Sequence, residues 1–417
     1  MQKKMNQPVV KYLKTKPVTV LLFLGMTFSI LMPPRITAVG FRLPNQDPEA
    51  IARGNAFAAT ADDPSAIYYN PAGITQLKGQ NLRVGIYAVS AGIKYNSAAG
   101  SATAKSDLQP VPQVYYVDSF ANAPVSIGLG IYAPYGLSVD WGNSAPFNTV
   151  GERGKVIYLC FNPVIAWRIT PTLSIGAGPT INYSQASFEQ AIPPFFLFPA
   201  GGQSKVEGDN MDFGFNAGIL WQPHSKWSFG VNYRSATIIN YQGTASQSGS
   251  VFVPSSTAAS AAIRYPQFVV GGISFRPTPK WNLESDVDWT DWSDVKQINV
   301  INTPLGNQTL PLHYQSSFMY EFGITRQFGH GYFGSVGYFY SENSSPDANF
   351  NPLIPDANLQ LGSIGFGYHG KRWDWAAAYH FGYNGGRTVS NDTANPSANG
   401  TYKTFNNGFN VATTFKF

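Results

Sequence analysis

The chain has 417 residues, of which 12% are charged and 15% aromatic, at a mean hydropathy of −0.14. A soluble protein of this length carries about a quarter charged residues, and a helical membrane protein is far more apolar, so both classes are excluded. The formal charge of +5 rests on Lys3, Lys4, Lys11, Lys14, Lys16 and Arg35, and the acids and bases after residue 38 leave a net −1, which excludes a basic nucleic-acid surface.

Residues 1–38 read as an export signal. A basic stretch ends at Lys16, and Val18 to Met32 is an uncharged apolar core of fifteen residues, short for a membrane span. Cleavage is expected after Ala38. Residues 39–80 do not alternate and are rich in Ala and Gly. Asp47-Pro48-Glu49 and Asp63-Pro64 each place a capping acid before a proline at a first helical position. The second helix is expected to stop at Asn70-Pro71, because the residue before proline is pushed out of the helical region. This reads as a compact segment with short helices that fills a barrel as a hatch.

From residue 81 to 417, stretch after stretch has period two. Phe405, Phe409, Val411, Phe415 and Phe417 share one face; Thr404, Asn406, Gly408 and Asn410 share the other. Phe213, Phe215, Ile219 and Trp221 alternate with Asp212, Gly214, Asn216 and Gly218. Aromatic residues at both ends of so many strands suit a lipid-interface girdle. About fourteen strands are expected, at 81–96, 110–119, 124–138, 154–168, 171–187, 209–222, 226–241, 263–276, 280–295, 314–328, 331–342, 359–369, 372–385 and 402–417. The connections between them alternate long and short, with 244–262 read as a mobile Ser/Thr/Ala-rich loop. The fold class is thus all-β, a transmembrane antiparallel barrel with both termini in the periplasm. The one cysteine, Cys160, excludes an internal disulfide.

Asn70-Pro71-Ala72, set in IYYNPAGIT, resembles the FadL family of outer-membrane transporters for long-chain fatty acids and hydrocarbons. Gly40-Phe41, Tyr135-Gly136-Leu137, Tyr233-Arg234-Ser235, Trp292-Ser293, Ile354-Pro355-Asp356 and the terminal Phe417 follow in the family's order. The resemblance implies a fourteen-stranded barrel with a hatch in its lumen, containing Phe41, Asn70, Pro71 and Ala72. It also implies passive passage of hydrophobic ligands with lateral exit. One departure concerns the carboxylate: fatty-acid members carry a basic residue near the outer end of the fifth strand, where this chain has Glu189-Gln190.

Catalytic motifs are poor. No G-x-S-x-G occurs, five histidines are scattered, and Gly365 to Gly370 fits G-x-G-x-x-G by letters but is followed by strand residues Trp373 and Trp375. No enzyme, cofactor or metal is expected. Glu284, Asp286 and Asp288 share one strand face and are read as a lumen wall paired with arginines or hatch groups rather than a Ca²⁺ site. Phe195, Phe196, Leu197 and Phe198 fall in an outer loop, where they either capture an apolar ligand or pack on neighbouring loops. Pro134, Tyr135 and Gly136 interrupt the third strand and are read as a kink opening a lateral gap, filled by hatch residues near Asn70. The expected partners are hydrophobic small molecules, outer-membrane lipid and lipopolysaccharide, and the barrel assembly machinery through the strand ending in Phe417. An aqueous porin and a lipid hydrolase are the competing readings.

Overall fold

The computed structural model describes residues 40–417; the expected export signal, 1–38, lies outside the described residues. Fourteen strands follow in chain order, several in two pieces. They are β1 (Gly79–Ser97), β2 (Gly100–Thr103 and Gln109–Ser119), β3 (Val125–Tyr132 and Gly136–Asp140), β4 (Arg153–Thr170), β5 (Leu173–Ile192), β6 (Gly202–His224) and β7 (Trp227–Arg234 and Thr237–Ser248). The second half comprises β8 (Ser256–Tyr265 and Phe268–Phe275), β9 (Trp281–Thr290 and Gln297–Thr303), β10 (Gly306–Pro311 and Ser317–Gly329), β11 (Tyr332–Ser341), β12 (Leu359–His369), β13 (Trp373–Tyr383 and Arg387–Val389) and β14 (Gly400–Lys416). Each pairs antiparallel with the next, and β14 pairs back onto β1 from Asn81↔Lys416 to Asn96↔Thr401. That closure leaves neither β1 nor β14 a free edge, the condition for strands in hydrocarbon, where unpaired backbone groups find no water.

Burial alternates as the period-two pattern requires. In β4, Gly154, Val156, Tyr158 and Cys160 are buried inside while Ile157, Phe161 and Ile165 face outward. The exposed outer face holds Trp167, Phe213, Trp221, Tyr379 and Phe409, so lipid meets an apolar, aromatic surface.

The strands on the long side reach further out than the alternation predicts. The expected loop at 244–262 is largely a paired hairpin, with β7 running to Ser248 and β8 starting at Ser256. Likewise 202–208, 297–303 and 306–311 are strand. Beyond the bilayer an outward residue need not be apolar, so the periodic signal disappears although the backbone ladder continues.

The segment ahead of β1 contains α1 (Pro48–Ile51) and α2 (Ala66–Tyr69), then a 3-10 turn over Pro71–Gln76. Asp47 caps α1 by accepting from Glu49 N at 2.8 Å. Asp63 accepts from Ser65 N at 2.7 Å just before α2. Asn70 caps the 3-10 turn through Ala72 N at 3.2 Å.

Candidate functional site

Inward-facing glycines bring the wall onto residues 52–72. A Cβ built on Gly218 of β6 would lie 2.2 Å from Asn70 Oδ1, and one on Gly230 of β7 would lie 1.9 Å from Ala58 O. Gly176 of β5 meets Pro71 and Ala72, Gly323 of β10 meets Arg53, Gly337 of β11 meets Gly54, and Gly365 of β12 meets Ala52 in the same way. No side chain larger than hydrogen fits at these places.

Polar anchors complete the seat. Asp286 Oδ2 accepts from Phe57 N (2.9 Å) and Ala58 N (2.8 Å), and Glu284 Oε1 accepts from Ala59 N (2.8 Å) and Thr60 N (3.0 Å). The Thr60 hydroxyl donates to the other Glu284 oxygen. Arg42 pairs with Asp288 at 2.7 Å while lying 3.5 Å over the Phe268 ring. The wall carboxylates of β9 thus carry the backbone and arginine partners that buried charges require. On β1, Arg83 grips Asp47 through two contacts (2.5 and 2.8 Å) and reaches Glu49 and Asp63 at 3.3 and 3.4 Å. Burial alone would raise the Glu49 carboxyl, but His369 at 3.1 Å, Arg83 and Arg53 hold it down at about 2. Burial pushes Asp63 well above the usual carboxylate range, and Arg83 offsets this only in part.

Asn70, Pro71 and Ala72 lie against β5 and β6. Asn70 Nδ2 donates to Ala58 O (2.8 Å) and to Ile219 O of β6 (3.0 Å). Phe41 lies elsewhere, in an aromatic box whose ring centroids are 4.9 Å (Trp292), 5.5 Å (Tyr265) and 6.1 Å (Tyr135) away.

The third strand parts from the second. Its last pairing with β2 is Val114↔Ile131; beyond it, Gln109–Gln113 ladder only with β1 and Gly136–Asp140 only with β4, until Lys105 N between the two pieces of β2 donates to Asp140 O at 2.8 Å. Residues 41–43 lie along the freed edge. Leu43 N donates to Pro134 O (2.8 Å), Gly136 N donates to Phe41 O (2.9 Å), and Arg42 bridges Tyr135 antiparallel. Gln46 Nε2 donates to Ala133 O at 2.8 Å. The filler is therefore Phe41–Leu43 and not the stretch near Asn70, as expected from sequence. Asn70's amide is committed to β6, whereas the chain before α1 is extended and has backbone groups to spare. Tyr135 turns inward, its hydroxyl donating to Pro266 O at 2.8 Å and its ring against Tyr158 and Tyr265.

The outer loop after β5 is split in its roles. Phe195 and Phe198 exchange backbone bonds (3.1 and 2.8 Å); Phe198 is fully buried, Leu197 half-buried, Phe195 42% exposed and Phe196 81% exposed. The two readings of this loop divide between its residues: the turn folds Phe198 under its own strands and leaves Phe195 and Phe196 outside. The adjacent β7–β8 tip presents Val251 and Phe252, both exposed, which the polar composition of 244–262 concealed. Below these tips is a cavity of about 50 Å³ lined by Phe188, Tyr241, Ala259, Ile263, Ile298 and Val300. The charged residue in its wall, Glu207, is 2.6 Å from Lys205. Glu189 is paired with Arg153 at 2.9 Å.

An even-numbered, closed antiparallel barrel with an aromatic outer face and short inner turns defines an outer-membrane β-barrel protein. The chain belongs to the outer membrane protein transport protein family (OMPP1/FadL/TodX), whose model matches residues 31–417. It is 22% identical over 386 residues to the long-chain fatty acid transport protein of Escherichia coli K12, covering 81% of this chain and 86% of that one. It is 23% identical over 414 residues to a putative outer membrane protein of Neisseria meningitidis, covering 86% and 88%. Among solved structures it resembles a Pseudomonas aeruginosa FadL homologue (TM-score 0.83, 17% identity, 91% of this chain and 100% of that one) and the Pseudomonas putida toluene transporter TodX (TM-score 0.74, 17%, 90% and 99%).

Proposed function

We propose that this outer-membrane barrel passes fatty acids, hydrocarbons or similarly apolar molecules by passive diffusion, with residues 39–80 as a hatch and lateral exit beside β3. The observation that carries this reading is the parted β2–β3 ladder with Phe41–Leu43 laid along it. Backbone groups left open to hydrocarbon cost several kcal/mol each, so a gap in the wall has to be filled by protein or by ligand. Three extended residues laid along the wall by backbone bonds, and anchored inside by Arg42 on Asp288 and Phe41 in its aromatic box, are a filler that can leave without unfolding the wall.

The route begins at Phe195, Phe196 and the neighbouring Val251 and Phe252, and continues through the cavity under them to the Phe41 aromatic box. Apolar surface in water costs about 25 cal/mol per Å², so a continuous apolar track lowers the barrier without energy input. The glycine seat argues against an aqueous porin, since it leaves no gap between wall and segment where these glycines lie. We read the protein as a channel without a catalytic centre. Lipopolysaccharide and the barrel assembly machinery, reached through the strand ending in Phe417, are further proposed partners.

The test is a reversible lock. Arg42 and Tyr135 are bridge partners, at a separation that a disulfide spans. In Arg42→Cys/Tyr135→Cys, oxidation should block uptake of a hydrophobic ligand and reduction should restore it, with each single variant as a control. Equal uptake with the disulfide closed would rule out exit beside β3.

A further inference from the structure

A second feature lies on the outside of the barrel. Lys94 of β1 and Lys403 of β14 are register partners, directly opposite across the seam that closes the barrel. Their chain neighbours Ile93, Tyr95, Tyr402 and Thr404 are buried on the inner face, so both lysines stand on the outer face, where both are exposed. Two residues nearer the periplasm on that face, Phe405 is paired with Tyr383 of β13, their ring centroids 4.9 Å apart. Rings at this level belong to the outer aromatic girdle, where lipid headgroups begin. At about 3.3 Å per residue, the lysines are roughly 7 Å further out along the strands, at the depth of headgroup phosphates.

No acid answers them. Among the described residues, neither lysine's ammonium group has an ion pair or hydrogen bond. On the other side Lys94 faces Thr103 of the β2 arm, which continues through Ala104 N to Ile93 O and leads to exposed Lys105, two residues nearer the periplasm. Lys105 is 2.8 Å from Asp140, but Asp140 is also held by Arg153 at 3.2 Å. Like charges directly opposite on neighbouring strands repel. A phosphate between two ammonium groups replaces that repulsion with charge-assisted hydrogen bonds.

We propose that Lys94 and Lys403, flanked by Lys105, form a binding site for the phosphate of a phosphorylated glycolipid of the lipid A class in the outer leaflet. The site is outside the lumen and independent of the route proposed for transported molecules.

Native mass spectrometry of the full mature protein, titrated with bisphosphoryl lipid A, dephosphorylated lipid A and phosphatidylethanolamine, tests the site. One bisphosphoryl lipid A should be retained selectively. Lys94→Ala/Lys403→Ala should weaken its retention about tenfold or more, each lysine at an anionic lipid surface contributing a factor of about five. Both side chains are exposed, and heat-modifiable gel migration verifies that the variant barrel has folded. Lys226→Ala, in a periplasmic turn, should retain lipid as the parent does. Equal retention by the double variant, or equal affinity for dephosphorylated lipid A, overturns the proposal. Displacement by inorganic phosphate at equal concentration overturns the lipid assignment in favour of free phosphate.

Discussion

The backbone N–H of Gly40 donates to Asp356 Oδ1 at 2.9 Å, joining the residues beside β3 to the outer loop between β11 and β12. The other Asp356 oxygen accepts from Ser344 N (2.8 Å), Ser344 Oγ (2.6 Å) and Ser345 N (3.1 Å), while Arg387 Nη1 donates to Asp356 O at 2.7 Å. Asp356→Ala leaves Gly40 N, Ser344 N, Ser344 Oγ and Ser345 N without this acceptor, at about 1–3 kcal/mol for each buried group, and spares the Arg387 bond to the backbone carbonyl. Residues 40–46 should then exchange their amide hydrogens faster, and uptake of an apolar ligand should rise. Hydrogen exchange by mass spectrometry, with the β1–β14 seam as an internal standard, reads the first effect; unchanged exchange at 40–46 would show that the clasp does not hold the filler.

The glycine seat predicts a leak. Gly230→Val puts a side chain where Ala58 O lies, and the residues around Ala58 must move away from β7. Overpacking of this kind costs roughly 1–3 kcal/mol, borne by the segment and not by the barrel ladder. Small sugars should then enter liposomes carrying the variant and stay out of those carrying the parent. A tight variant with an intact barrel would mean that the segment does not seal the pore.

The exposed tips predict a division within one loop. Phe196→Ser together with Phe252→Ser should slow uptake at low ligand concentration and leave thermal stability within about 0.5 kcal/mol, as for surface changes generally. Phe198→Ser, by contrast, removes a buried ring and should destabilise the loop by about 3 kcal/mol or more. Matched uptake curves for the double variant and the parent would remove these tips from the route.

Glu49 predicts a pH window. Its folded-state value of about 2 lies below the ordinary 4.5. It therefore contributes stability that is complete above about pH 4.5 and is lost as pH falls through 2. Exchange protection of residues 47–53 should be weaker in Glu49→Gln than in the parent at pH 6, and the two should converge towards pH 2. A difference that stays constant from pH 6 to pH 2 would count against the Glu49 contacts with Arg83 and His369.

Much of the barrel was legible because lipid imposes the alternation: Trp221, Phe409 and Phe415 face outward as their spacing requires. Where lipid ends, the constraint ends, so the paired arms at 244–248 and 256–262 read as a loop. The kink at Pro134 was visible because proline removes a ladder donor. Its filler was not, since nothing in Phe41-Arg42-Leu43 distinguishes a lone strand from a linker, and Asn70 carried the more conspicuous motif. Gly218 was seen only as the small partner of outward aromatic residues in its strand, because what it and Gly230 make room for depends on Asn70 and Ala58, far away in sequence. Phe198 looked like its exposed neighbours because burial in a tight turn leaves no periodic trace.

The seam between β1 and β14 also bears on assembly. The segment bonded to Asp286, Glu284 and Gly218's strand is covalently continuous with β1, one edge of that seam. Arg83 of β1 bonds Asp47 of the segment and, across the seam, Thr414 of β14. The segment's anchors, spread over β1, β6 and β9, are complete around one ring only when Asn81–Asn96 have paired with Thr401–Lys416, so closing the barrel and completing the seat are coupled.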